Sequence, residues 1–143
     1  MSERDVGSWN SLISGLAQNS EGRNALFLFK KMRVEGAEVD VMTVSGVLSV
    51  CADLAALVNF QKGCGRLGTI EEGKQVHCIV FKHGFDRDMI LMTSLLDMYC
   101  KCIDIKGARR VYDEMPQRDV VVNNNMIFGL CRCHLTLDAM TYV

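Results

Sequence analysis

Seven cysteines (51, 64, 78, 100, 102, 131 and 133) and three histidines (77, 83 and 134) are the residues whose chemistry first brings a metal or a nucleophile to mind. Their spacing argues against both. Cys100 and Cys102, like Cys131 and Cys133, stand two apart, and on a helix such side chains project roughly 200° from one another, so neither pair closes on one ion. There is no Cys-x-x-Cys, and Cys131 with His134 makes only half of a tetrahedral site. No histidine stands in a His-x-Glu arrangement, no nucleophile falls at pairing distance from a base, and no glycine-rich phosphate loop is present. The expectation is no catalytic residue, no metal and no cofactor. Seven is an odd number, which fits reduced thiols in a reducing compartment. The other polar residues of interest are Asp40, Asp88 and Asp119, each just ahead of an apolar periodic stretch, and Asn10, Ser45, Thr93 and Asn124, each near the start of one. By type alone, the aspartates are helix caps and the others ordinary first-turn polar residues.

The elements that hold these residues are paired helices. In the stretch 89–119, Leu91, Leu95 and Met98 recur at i, i+4, i+7, and Ile105, Ala108, Tyr112 and Met115 nearly so after a short break. Asp104 is placed to cap the second helix, and Pro116 stops it. A hairpin this small cannot bury two apolar stripes alone, so similar neighbours are required. They are there: Asp119-Val-Val-Val-Asn-Asn echoes Asp5-Val-Gly-Ser-Trp-Asn, and Met-Ile-Phe-Gly-Leu at 126–130 echoes Leu-Ile-Ser-Gly-Leu at 12–16. Units closed on Asp40, Asp88 and Asp119 have lengths 35, 48 and 31.

The long middle unit has an internal cause. The segment from Cys51 matches that from Cys64 at an offset of 13 residues, a short tandem duplication whose removal restores 35. With Gly63, Gly65 and Gly68 in it, the span 53–68 is expected to be an irregular bulge, and Thr69-Ile-Glu-Glu to be the capping box that opens the following helix. In the first unit Trp9, Ile13 and Leu16 face inward with Leu12, followed by Ala25, Phe29 and Met32. Asn19 and Ser20 are expected to cap this second helix and Gly36 to end it. In the last unit the sequence predicts a helix over 122–131 and a fraying stub from Thr136.

Hydrophobic residues make up 49% of the chain and charged ones 23%, an ordinary globular composition. The net charge of −1 excludes a protein that grips nucleic acid mainly through its phosphates. No apolar leader or Arg/Ser-rich transit segment is visible at the start, and no apolar run approaches the ~18 residues that span a bilayer, so no membrane association is expected.

The phrases SWNSLISGLAQ, ALFLFKKM and GAEVD, then VMTVSGVLSVCA with EEGKQVHCIVFKHGF, and above all SLLDMYCKC followed by ARRVYDEMPQRD, resemble those of plant pentatricopeptide repeat proteins. The resemblance is to the subclass in which P, L and S repeat variants alternate. It implies an all-α fold, a right-handed α-solenoid of stacked helix-turn-helix repeats. A P-type repeat would span 6–40, an L-type repeat 41–88 with the 13-residue insertion near 55–67, an S-type repeat 89–119 and a truncated P-type repeat 120–143. It further implies that the fifth and last residues of each repeat read one RNA base and that the second packs against it. The readers would be Asn10 with Asp40, Ser45 with Asp88, Thr93 with Asp119, and Asn124 without a closing partner. Met42, Ile90 and Val121 would be the packing residues, with Gly7 a weak substitute in the first repeat. By the family's pairing rule the chain would favour a U-x-G order. A departure is Asn123, which stands where an aromatic core residue is usual.

The function implied is sequence-specific binding of single-stranded organellar RNA, in a mitochondrion or chloroplast, for RNA processing or C-to-U editing, with RNA-editing protein factors as further partners and no small-molecule substrate. The His-x-Glu and Pro-Cys-x-x-Cys elements of a deaminase are absent, so the chain is not expected to be an enzyme. Two other readings remain open at this level. One is a protein-binding helical-repeat scaffold, which near-neutral charge would suit; the other is a truncated, non-functional fragment, which the duplication and the unpartnered Asn124 would suit.

Overall fold

The computed structural model describes residues 5–58, 65–132 and 135–143, and every regular element among them is helical. In order these are α1 (Val6–Gln18), α2 (Gly22–Val34), α3 (Val41–Val58), α4 (Gly65–Lys82), α5 (Met89–Lys101), α6 (Ile105–Glu114), α7 (Val120–Arg132) and α8 (Thr136–Ala139). Short 3-10 turns lie at Phe85–Arg87 and Met140–Tyr142. Each odd-numbered helix packs on the even one after it, and α1, α3, α5 and α7 also pack in succession on one another. The result is an α-solenoid with the first helix of each pair in one continuous row.

The apolar spacing explains the packing. Trp9 and Ile13 of α1 meet Ala25, Phe29 and Met32 of α2, all buried. Leu12 is exposed and Leu16 half-buried, so the α1 stripe is narrower than its spacing predicts. Helix α5 shows the reverse. Besides Leu91, Leu95 and Met98 it buries Met92, Leu96 and Tyr99, because α3 and α7 cover it from both sides. A helix held between two neighbours needs a wider apolar surface than one covered from a single side.

Three of the turns that follow a helix share a backbone solution. After α1, the N–H of Ser20 donates to Ala17 O at 3.2 Å and that of Glu21 to Leu16 O at 2.8 Å. The same two-bond closure follows α2 at Gly36 and α5 at Ile103, and in all three the residue at the bend has positive φ. Asn19 and Ser20 are therefore used to close α1, not to cap α2 as their types predict. The N-cap of α2 is Glu21, which makes no side-chain cap bond. The connection is so short that closing one helix takes the residues that would have opened the next.

The middle unit departs furthest from expectation. Helices α3 and α4 are each 18 residues long, against 13 for α1 and α2. Helix α3 continues to Val58 and α4 already starts at Gly65, so Thr69 lies inside a helix and the capping box does not open it. The duplicated segment carries helix-compatible residues, and Ala52 and Ala55 extend the buried stripe of α3. Of the span expected to be an irregular bulge, 59–64 lie outside the described residues, and 53–58 and 65–68 are helix. A glycine costs only about 1 kcal/mol in a helix interior, too little to prevent this. At the far end, α7 is longer at both ends than predicted, and Thr136 is the first residue of α8 instead of its cap.

Candidate nucleic-acid interface

A helix start leaves four backbone N–H groups without partners, and an aspartate one residue ahead can take one of them. Here the same solution recurs at the starts of all four first helices, and at α6, where Asp104 accepts from Gly107 N at 3.1 Å. Asp5 accepts from Ser8 N at 2.7 Å, Asp40 from Thr43 N at 2.9 Å, Asp88 from Leu91 N at 3.1 Å and Asp119 from Val122 N at 2.9 Å. The capping role predicted from residue type alone is thus present at every closing aspartate. In each bond Oδ1 is the acceptor, so the cap leaves the second carboxylate oxygen unused.

At the first junction the cap is part of a larger cluster. Asn10 Nδ2 donates to Asp40 Oδ1 at 3.0 Å across 30 residues of sequence. Thr43 Oγ1 lies 2.5 Å from Asn10 Oδ1 and 2.9 Å from Asp40 Oδ1. Partial burial raises the Asp40 carboxyl, but the bonds from Thr43 and Asn10 outweigh it and hold the group below its usual range. Asn10 and Asp40 are therefore joined, and Asp40 is ionised at neutral pH.

Thr93 and Asp119 come together differently. With Met89, Ile90, Ser94 and Val121 they line a groove of about 280 Å³ between α5 and the start of α7. Thr93 Oγ1 donates to Met89 O at 2.7 Å, so its proton is taken by its own helix and its lone pairs are left for the groove. Ile90 is 79% exposed and Val121 56%, and Met42, at the equivalent place on α3, is 68% exposed. Gly7 is exposed at the start of α1 and offers no side chain there.

Ser45 and Asp88 are not brought together: no hydrogen bond joins them among the described residues. Ser45 lines a separate crevice of about 180 Å³ with Ser49, Asp53, Ser94, Asp97 and Lys101, in which Asp97 and Lys101 form an ion pair at 3.0 Å. Asn124 is exposed on α7. Asn123, the unexpected polar residue beside it, is half-buried and accepts from the Tyr112 hydroxyl at 2.8 Å, which satisfies it without an aromatic ring.

Two arrangements gave no sequence signal. Thr43 is 1% exposed, and its role shows only once Asn10 and Asp40 are adjacent. His77 on α4 is buried, with Nδ1 2.8 Å from the Tyr99 hydroxyl and Nε2 3.4 Å from Glu114 Oε2, too poorly aligned for a hydrogen bond. Burial, opposed by Glu114, lowers its pKa, so the ring is neutral at pH 7; with Nε2 facing the Glu114 carboxylate the ring proton is assigned there, and Nδ1 accepts a hydrogen bond from the Tyr99 hydroxyl. Burial, with Cys102 and Glu72 nearby, pushes the Cys51 thiol up to about 12, which makes it inert. Cys64, Cys133 and His134 lie outside the described residues. Among those described, no three His, Cys, Asp or Glu side chains are grouped as a metal would need, and no helix is long and apolar enough to cross a membrane.

A row of first helices, each opened by an aspartate and carrying an exposed small-polar and apolar surface, defines a helical-repeat protein. Comparison with known families makes this specific. Residues 4–53 match the PPR repeat family and residues 90–120 the PPR repeat, together more than half of the chain. Three relatives from Arabidopsis thaliana show the same kinship. A chloroplastic pentatricopeptide repeat-containing protein is 34% identical over 142 residues, 99% of this chain and 16% of the relative. A mitochondrial one is 39% identical over 132 residues, 92% of this chain and 19% of the relative. The chloroplastic protein DOT4 is 39% identical over 140 residues, 98% of this chain and 15% of the relative. The chain belongs to the plant pentatricopeptide repeat family, and it spans less than a fifth of the length of these relatives.

Proposed function

We propose that the chain is a sequence-specific, single-stranded RNA-binding segment of an alternating P, L and S repeat array, active in organellar RNA processing or C-to-U editing. The family is one of RNA-binding repeat proteins, and the relatives' names place them in chloroplasts and mitochondria. The observation that carries the reading is the groove between α5 and α7. Four residues assigned by repeat position alone, Ile90, Thr93, Asp119 and Val121, line it together. Its apolar walls suit the face of a base, and its hydroxyl and carboxylate suit a base edge. The Asn10 and Asp40 pair is the corresponding reader two repeats earlier. The pairing rule gives U at Asn10/Asp40 and G at Thr93/Asp119. Ser45 and Asp88, lying apart, are assigned the unselective middle position.

Fluorescence anisotropy with short RNAs tests this. U-x-G should bind more tightly than permuted sequences, Asn10→Ala should relax preference only at the first base, and Thr93→Ala only at the third. Each base contact is worth roughly 1 to 3 kcal/mol, so the affinity will be low and the protein concentrations high. A folded chain that binds all sequences equally, before and after both substitutions, sinks the reading. One observation favours the scaffold reading instead: a groove of about 620 Å³ between α4 and α6, lined by His77, Cys78, Phe81, Lys82, Arg110 and Glu114. Retention of a protein partner that Phe81→Ser abolishes, with no RNA binding, would favour that reading.

A further inference from the structure

We propose that Thr43, in addition to the assigned reader pair, determines which base is accepted at the first position, by fixing how the Asn10 carboxamide is presented. This rests on the RNA-binding reading. The Thr43 hydroxyl has one proton and two acceptors in reach, Asn10 Oδ1 at 2.5 Å and Asp40 Oδ1 at 2.9 Å; two oxygens as close as 2.5 Å require the proton between them, so it goes to Asn10 Oδ1. The amide cannot be reversed, because its oxygen would then face Asp40 Oδ1, an acceptor against an ionised acceptor, in place of the 3.0 Å bond from Nδ2. Thr43 in turn is held fast. It is 1% exposed, its N–H is bound by Asp40, and its hydroxyl oxygen accepts from Asp40 N at 3.4 Å.

The consequence is chemical selectivity. One Asn10 amide hydrogen is committed to Asp40 and the amide oxygen to Thr43, so what remains most available is the second amide hydrogen, a donor. A base edge presenting a carbonyl oxygen satisfies it, whereas an exocyclic amino group there opposes it donor to donor. Uracil is therefore accepted and cytosine refused at this position. Without the Thr43 hydroxyl the amide oxygen is released and can accept from cytosine's amino group. At the junctions closed by Asp88 and Asp119 the device is missing: the residues placed as Thr43 is, three after the aspartate, are Leu91 and Val122, which carry no hydroxyl.

The test has one arm with RNA and one without. Thr43→Val keeps the shape and removes the hydroxyl, and Thr43→Ser restores it. Anisotropy titrations with U or C at the first position should show the preference for U falling about tenfold in Thr43→Val, the worth of one hydrogen bond, and recovering in Thr43→Ser. In the RNA-free arm, NMR relaxation of the Asn10 side-chain amide should show one rigid orientation in the unsubstituted chain and averaging in Thr43→Val. An unchanged U preference in a folded Thr43→Val chain would overturn the proposal. So would an Asn10 amide equally rigid in both, even if the chain binds no RNA. Absence of RNA binding with the expected change in the amide would instead sink the RNA reading and leave the positioning role standing.

Discussion

Ser20 holds a left-handed backbone, φ 61°, on an exposed turn where the equivalent residue after α2 is Gly36. A side chain in that conformation costs about 1 kcal/mol, so Ser20→Gly should stabilise the chain by about that amount in thermal or urea unfolding. Gly107 predicts the opposite sign. A Cβ there would lie 2.4 Å from the Tyr99 ring, whose position is fixed by burial and by its bond to His77. Gly107→Ala gains helix propensity but forces the ring to move, and should cost about 1 to 3 kcal/mol, enough to lower the melting temperature measurably. His77 supplies a pH dependence. Its pKa is lowered in the folded protein by burial, so the folded chain favours the neutral ring and the unfolded chain binds the proton more readily. The stability held above 6.5, the ordinary value, is lost as the pH falls from there through the lowered folded value. Urea unfolding at stepped pH should show this decline, and His77→Gln should flatten it. The carboxyls of Asp5 and Asp40, lowered below 3.8, add a second loss at more acid pH, which His77→Gln leaves in place.

At the scale of the helix, the caps separate what a closing aspartate does for the fold from what it does for a ligand. Asn caps about as well as Asp, whereas Ala does not cap at all. Asp119→Ala should therefore cost about 1 kcal/mol and loosen the start of α7, while Asp119→Asn should unfold much like the unsubstituted chain. If the carboxylate also reads the third base, Asp119→Asn will weaken the preference for G while stability stays put; a preference that survives would confine Asp119 to capping. The same distinction shows what was legible in the sequence. The paired helices, the inward faces of α2 and α5 and the aspartate at the start of each first helix follow from periodicity and residue type, because both are local. The fate of the duplicated segment was not legible. Glycines and a capping box argued for a loop over 53–68, but 53–58 continue α3, where Ala55 is buried against neighbouring helices, and burial is a tertiary quantity. Ser20 was misread for a related reason: its type favours capping, but a two-helix turn with no glycine took it as the bend. The candidate site was legible only as positions. That Asn10 and Asp40 touch while Ser45 and Asp88 do not depends on how consecutive units pack, and Thr43 could be recognised only from that contact.

At the scale of the molecule, charge and architecture together predict how binding responds to salt. A protein that takes most of its affinity from phosphates loses about 10³- to 10⁵-fold between 50 and 200 mM salt when it makes six to ten contacts. This chain has a net charge of −1, and the row of first helices bears Asp40, Asp88 and Asp119 at the helix starts and Asp53 and Asp97 further along. Lys101, on the same row, is already paired with Asp97. Such a surface can gain little from releasing counterions; any affinity must come from stacking on Met42, Ile90 and Val121 and from hydrogen bonds to base edges, both weakly dependent on salt. RNA affinity measured across that salt range should therefore change by less than about tenfold, corresponding to at most one or two phosphate contacts. Asp53→Lys with Asp97→Lys should steepen the dependence and raise affinity for every sequence alike, without altering the preference for U at the first position. A steep dependence in the unsubstituted chain would mean that phosphates dominate after all, and that the aligned side chains along the first-helix row are not what holds the RNA.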